Sequence, residues 1–216
     1  MSTVEAQRGG RRRADTRRRL VAAAYEVFAE RGIADAPVEA ICERAGFTRG
    51  AFYSNFASKE DLFLALFREK MRAKQERLAE VADEVLERRA IGDVDTLRDA
   101  IAEMARLFFG PFDDDTAWYL LVAEFRAQSL RQPALLAQAE AIEAEARDGI
   151  AGALTGAFDR LGMRFTMPAT DVVPVLIGCY EAAIRRSLVK GIESPGEDDF
   201  VARTLPDLLT ALITRR

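Results

Sequence analysis

The sequence predicts an all-α protein of about nine helices. Apolar residues recur at helical spacing almost throughout, and runs of β-branched alternation are missing. The one short apolar run that could suggest a strand, Val172-Val173-Pro174-Val175, contains a proline. With 216 residues, 49% hydrophobic and 31% charged, the chain is long and apolar enough to bury a core.

Residues 1–13 read as a basic arm, flexible over the first ten positions. A first helix is expected from about Ala14 to Arg31, with Leu20, Ala23, Ala24, Val27 and Phe28 on one face and Gly32 ending it. Pro37 suits the first turn of a second helix, which carries Val38, Ile41, Cys42 and Ala45 inward and stops at Gly46. Thr48 can cap a short third helix over residues 49–55. Ser58-Lys59-Glu60-Asp61 has the pattern of a capping box and opens a long fourth helix towards Arg88. Gly92-Asp93 breaks the pattern. Further helices follow at about 94–109, 115–131, 134–162, 171–190 and 198–214, with no sheet. Gly110-Pro111, Gln132-Pro133, Gly162 to Pro168 and Gly191 to Gly196 separate them. Pro206 is expected to kink the last helix.

Composition narrows the chemistry. The chain has no histidine, which excludes Ser-His-Asp and Cys-His catalysis, His-ligated zinc and imidazole pH switching. Cys42 and Cys179 are far apart and read as small buried apolar residues. No metal and no cofactor is expected. No apolar run approaches the ~18–20 residues of a membrane span, and the basic N-terminus leads into no apolar signal core. A reduced, cytoplasmic protein is expected. Charge is uneven: residues 1–60 hold 11 Lys/Arg and 8 Asp/Glu, and the remainder holds 20 and 27. A basic head on an acidic body suggests that the head approaches a polyanion. Arg8, Arg11, Arg12, Arg13, Arg17, Arg18 and Arg19 are either a phosphate-seeking stretch or ordinary solvated helix-face charges.

The most informative stretch is residues 38–63, VEAICERAGFTRGAFYSNFASKEDLF. Two short helices flank a tight Ala45-Gly46-Phe47-Thr48 turn, the spacing of a helix-turn-helix. Phe47, Phe52 and Phe56 are expected to anchor the second helix, leaving Arg49, Gly50, Tyr53, Ser54 and Asn55 for another surface. Here the sequence resembles the TetR family of transcriptional repressors, through Ala45-Gly46, Thr48, Arg49, Gly50, Phe52-Tyr53, Asn55-Phe56 and Lys59 in register. Thr16-Arg17, Leu20, Ala23, Phe28 and Arg31-Gly32 match the family's first helix. The resemblance covers residues 14–67 in detail. The chain departs from the family's pattern at Ala36-Pro37, where many members carry Ser or Thr, and at Asn55, where His is commoner.

The resemblance implies a DNA-binding domain over 14–57 and a ligand-binding and dimerisation domain over 58–216. It implies phosphate contacts for Thr48, Tyr53, Asn55 and Lys59, and groove-facing positions for Arg49 and Gly50, with Ser54 on the same surface. The residue types fit: hydroxyl, phenol, amide and ammonium donate to phosphate, and arginine reads guanine bidentately. It also implies a small-molecule pocket in the body. Met104, Phe108, Trp118, Leu121, Val122, Phe125, Phe158 and Leu176 are candidates for its apolar lining. Gln128 and Tyr180, with Glu124 and Glu181, are candidate polar anchors. Packed core is the alternative for each apolar residue, and surface for each polar one. The stripes Val172, Leu176, Cys179, Ala183 and Val201, Leu205, Leu208, Leu212, with Gly178 and Ala182, suit a homodimer through residues 171–214. The reading is a homodimeric repressor on a near-palindromic duplex operator, released by a small apolar or amphipathic ligand. The competing readings are a helical enzyme and a protein-binding adaptor bundle.

Overall fold

The computed structural model describes residues 3–89, 91–108, 113–191 and 200–215. The expected breaks at Gly110-Pro111 and over residues 192–199 lie outside these. Among the described residues there are nine α-helices: α1 Thr3–Asp35, α2 Val38–Ala45, α3 Arg49–Tyr53, α4 Lys59–Arg88, α5 Val94–Phe108, α6 Asp113–Ser129, α7 Pro133–Arg160, α8 Ala169–Lys190 and α9 Leu205–Ala211. Two short strands, β1 Met163–Phe165 and β2 Ile213–Arg215, and a π-helical turn Phe200–Thr204 complete the elements. The chain forms two compact units, Met1–Lys70 with Leu120–Ile142, and Met71–Tyr119 with Glu143–Arg216.

In the first unit, α1 buries Leu20, Ala23, Ala24, Val27 and Phe28, the face that the apolar spacing predicted, and also Val21. Ile33 and Ile41, with Phe52, Phe56, Leu62 and Phe63, close this core. The Phe28 and Phe63 rings lie 6.0 Å apart, and Phe63 stacks on Phe125 at 4.4 Å. Such aromatic pairs add about 0.5–1.5 kcal/mol beyond the area they bury. The helix α1 starts at Thr3, where a flexible arm was expected. Gly32, at φ 78° and ψ 166°, breaks its regular path where a stop was expected, and the chain then runs on to Asp35.

In the second unit the core is Leu97, Ile101, Ala105, Phe158, Met163, Val172, Ala183, Val201, Leu205 and Leu209. Three expectations are corrected here. A small sheet exists: β1 and β2 pair antiparallel, Met163 opposite Arg215 and Phe165 opposite Ile213. Three residues per strand are too few to show alternation, and Phe165 gains an edge-on ring contact with Phe158 at 5.1 Å. The final helix is not continuous over 198–214. A π-helical turn precedes α9, and Pro206 lies in the first turn of α9, where its missing N–H forfeits no helical hydrogen bond. The stripe assigned to a partner subunit is largely spent inside the chain: Val172, Ala183, Val201 and Leu205 are core, with Leu176, Cys179 and Leu212 packed against it. The exposed large apolar residues of α8 are Val175, Leu188 and Val189.

Candidate nucleic-acid interface

Backbone chemistry fixes the turn between α2 and α3. Gly46 adopts φ 71°, ψ 35°, its N–H donates to Glu43 O (3.1 Å), and Phe47 N–H donates to Cys42 O (2.9 Å). This is a Schellman ending, and it requires a left-handed residue at Gly46. Thr48 then caps α3, its Oγ1 accepting from Ala51 N–H at 3.2 Å. The Thr48 O–H is still available to donate to an incoming oxygen. Phe52 (0% exposed) and Phe56 (1%) anchor α3. Phe47 is half-buried, under the Arg19 guanidinium at 4.6 Å from its ring centre.

That anchoring leaves Arg49, Gly50, Tyr53 and Ser54 on the exposed edge of α3. A methyl group at Gly50 would meet Thr48 Oγ1 at 3.7 Å, an ordinary contact, and Gly50 is not among the glycines with positive φ. Nothing inside the chain demands glycine there. Tyr53 is 51% exposed, with the Arg49 Cζ 6.0 Å from its ring centre. Arg49 Nη1 pairs with Glu39 Oε1 at 2.7 Å across the two helices. The Tyr53 hydroxyl and then the Glu39 carboxylate push the Arg49 pKa further up, so its charge is permanent.

The remaining expected contacts have partners within the chain. Ser54 Oγ donates to Ala51 O at 2.9 Å. Asn55 turns its amide inward, Nδ2 donating to Ala51 O at 2.8 Å, and its buried Oδ1 has no partner. Lys59 Nζ donates to Ala34 O at 2.5 Å. The N–H of the same residue, Ala34, donates to Glu124 Oε1 at 2.7 Å, and Ile33 N–H donates to Glu124 Oε2 at 3.0 Å. Glu124, expected as a ligand anchor, thus holds the backbone just after the Gly32 break. Ser58 Oγ caps α4 by accepting from Asp61 N–H at 3.2 Å, and Asp61 reaches back to Ala57 N–H at 2.9 Å.

The arginines of α1 do more than a charge count suggests. Arg13 donates to Ser54 O (3.3 Å), Arg17 to Asn55 O (3.1 Å) and Arg19 to Ala45 O (2.9 Å). These carbonyls close α3 and α2, so the guanidiniums staple the helix-turn-helix onto α1. Arg17 also lies 4.2 Å from the Phe56 ring centre. Arg18 instead pairs with Asp15 at 2.5 Å, and Arg44 of α2 bridges Glu26 (2.9 Å) and Glu30 (3.0 Å) of α1. The Arg44 hydrogen bond holds the Glu30 carboxyl below its usual range.

The candidate ligand residues divide between the units. Leu121, Val122 and Phe125 are buried in the first, where Gln128 Nε2 makes a long 3.5 Å approach to Glu60. Trp118 is buried in the second. Met104, Phe108, Leu176 and Tyr180 pack around the second unit's core, which includes Phe158. Lys74, which the sequence did not single out, donates to the Tyr180 hydroxyl at 2.6 Å and lies 4.6 Å from its ring centre. An open hollow of about 200 Å³ in this unit is lined in part by Phe158, Asp159, Arg164, Phe165 and Met167.

Comparison with known proteins decides the class. The family model for bacterial regulatory proteins of the TetR family matches residues 20–66, which span the C-terminal half of α1, all of α2 and α3 and the start of α4. Residues 20–66 are a TetR-family DNA-binding domain. It is similar to the HTH-type transcriptional regulator YdgC of Bacillus subtilis, 26% identical over 182 residues, 84% of this chain and 85% of the other. It is 32% identical to the HTH-type transcriptional regulator UidR of Escherichia coli over 122 residues, 56% of each chain. Among solved structures, one from Mesorhizobium loti assigned to the TetR family superposes with a TM-score of 0.68 at 18% identity, covering 94% of this chain and 98% of that one. That likeness extends the TetR fold over both units. A chain with this domain is a DNA-binding transcriptional regulator and not an enzyme, and neither the enzyme nor the adaptor reading stands. No described helix is long and apolar enough to cross a membrane.

Proposed function

We propose that the protein is a cytoplasmic, homodimeric repressor that reads a near-palindromic duplex operator through α3 and is released by a small apolar or amphipathic ligand. The observation that carries the DNA half is the exposed edge Arg49–Gly50–Tyr53 above the buried Phe52. A five-residue helix gains nothing for the fold by exposing an arginine, a tyrosine and a glycine without an internal role. In this reading Arg49 and Gly50 meet base edges, and Thr48, Tyr53, Ser54, Asn55 and Lys59 meet the sugar-phosphate backbone. Lys59 exchanges the Ala34 carbonyl for a phosphate oxygen, and Asn55 must rotate away from Ala51 to reach one. Residues 14–57 meet the DNA together with Lys59 at the start of α4, residues 1–13 approach it as a basic extension, and the rest of 58–216 serves ligand and partner.

The dimer is proposed through residues 171–214, with Val175, Gly178 and Val189 of α8 in place of the stripe already used by the core. A methyl group built on Gly178 meets nothing within 4 Å, so another helix could approach it closely. For the ligand, the proposal is that Met104, Phe108, Trp118, Phe158 and Leu176 supply apolar lining and Tyr180 a polar anchor. Leu121, Val122, Phe125 and Gln128 keep the same proposed role within the first unit. Release requires that the ligand bind the DNA-free state more tightly; a 100-fold effect corresponds to about 2.7 kcal/mol of coupling. The test is salt-dependent binding to duplex DNA from the promoter nearest the protein's own gene, followed by footprinting. A footprint with two-fold symmetry supports the proposal, and binding that is absent or blind to sequence refutes it.

A further inference from the structure

The pair between Arg49 and Glu39 has no evident structural task. Both side chains are more than half exposed, at 61% and 56%, and exposed pairs of this kind add little to fold stability. The turn between α2 and α3 is already fixed by the Gly46 ending and the Thr48 cap, and α3 is anchored by Phe52 and Phe56. Yet the contact is short, 2.7 Å, and it engages one nitrogen, Nη1, at one edge of the guanidinium. The Tyr53 hydroxyl engages the same guanidinium, but arginine carries five N–H donors in a planar fork, so these two contacts leave other donors for a second planar partner.

We propose that Glu39 is a specificity-determining positioning residue: it holds the Arg49 guanidinium edge-on for a base and denies it to backbone phosphates. This rests on the reading that Arg49 meets a base edge. Two consequences follow from the geometry. A long side chain fixed at one edge loses less freedom when it meets a guanine-like pair of acceptors, so the correct base is favoured. On non-cognate duplex the guanidinium stays with Glu39, and the carboxylate near the α3 surface repels phosphates, so sequence-blind binding is weakened. Glu39 therefore widens the gap between cognate and random DNA from both sides.

The test uses the full chain. A cognate duplex is selected from a randomised pool, and affinities are measured for it, for each single base-pair substitution of it, and for random duplex of equal length. Arg49→Ala identifies the base pair that Arg49 reads. Glu39→Gln is expected to lower discrimination at that same base pair by about three- to tenfold, the scale of part of one bidentate contact. It is expected to tighten random-duplex binding several-fold, with the log–log salt slope steeper by roughly one unit as Arg49 becomes free for phosphate. Glu39→Asp should keep most of the discrimination, and thermal unfolding of all variants should match the parent. The proposal is overturned if Arg49→Ala relaxes one base pair while Glu39→Gln leaves that discrimination and the random-duplex slope unchanged. It is also overturned if Glu39→Gln weakens every duplex equally, the mark of a merely structural role. If Arg49→Ala relaxes no base pair, the reading of Arg49 itself is refuted and the proposal goes with it.

Discussion

Gly50→Ala should move stability and DNA affinity in opposite directions. Gly50 lies inside α3, is not among the positive-φ glycines, and an added methyl group would meet only Thr48 Oγ1 at 3.7 Å. Alanine in a helix is favoured over glycine by about 0.5–1 kcal/mol, mainly through the unfolded chain. For a protein of this size that raises Tm by about 1–4 °C. If glycine is kept so that backbone and base edges can come close, the same methyl group stands in the interface. Cognate duplex should then bind at least about tenfold more weakly, about 1.4 kcal/mol. Calorimetric unfolding and fluorescence anisotropy on one preparation read the two effects. Raised stability with unchanged or tighter DNA binding would refute the role given to Gly50. Lowered stability would refute the view that nothing inside the chain needs glycine there.

Three further outcomes are expected. Lys59→Ala should weaken binding to all duplex sequences alike and reduce the log–log salt slope by roughly one unit; an unchanged slope would remove Lys59 from the phosphate contacts. Arg17→Ala should cost about 1 kcal/mol in urea unfolding, since it loses a donor to Asn55 O and the contact with Phe56; unchanged stability with weaker DNA binding would return Arg17 to the phosphate-seeking set. Val189→Glu places a charge on a residue that is 83% exposed in one chain, so it should leave the monomer folded and shift sedimentation from dimer to monomer; an unaltered dimer would exclude this end of α8 from the interface.

The parts of the site that depend on neighbours along the chain were legible in the sequence. Gly46 ends α2, Thr48 caps α3, Ser58 caps α4, and the phenylalanine spacing separates the buried side of α3 from its exposed edge. Each rests on a rule reaching only a few residues. What sequence reasoning missed comes from partners distant in the chain. The charge of Arg13, Arg17 and Arg19 is visible, but the carbonyls of Ser54, Asn55 and Ala45 that receive them lie 26–41 residues away. Glu124 meets Ile33 and Ala34 across about ninety residues, and no local pattern announces it. The stripe on α8 is apolar by its period, yet it packs largely inside the chain, because periodicity shows that a face is buried and not what buries it. The ribbon β1–β2 escaped notice because three-residue strands carry no period.

The central claim is that the exposed edge of α3 reads DNA sequence through Arg49. Selection from a randomised duplex pool with the parent and with Arg49→Ala, at one fixed salt concentration, tests it most directly. The parent should enrich one near-palindromic sequence. The variant should lose preference at one position of each half-site, by about 1–3 kcal/mol, and keep it elsewhere. Identical enriched sequences for the two proteins, or no enrichment by the parent, would contradict the claim.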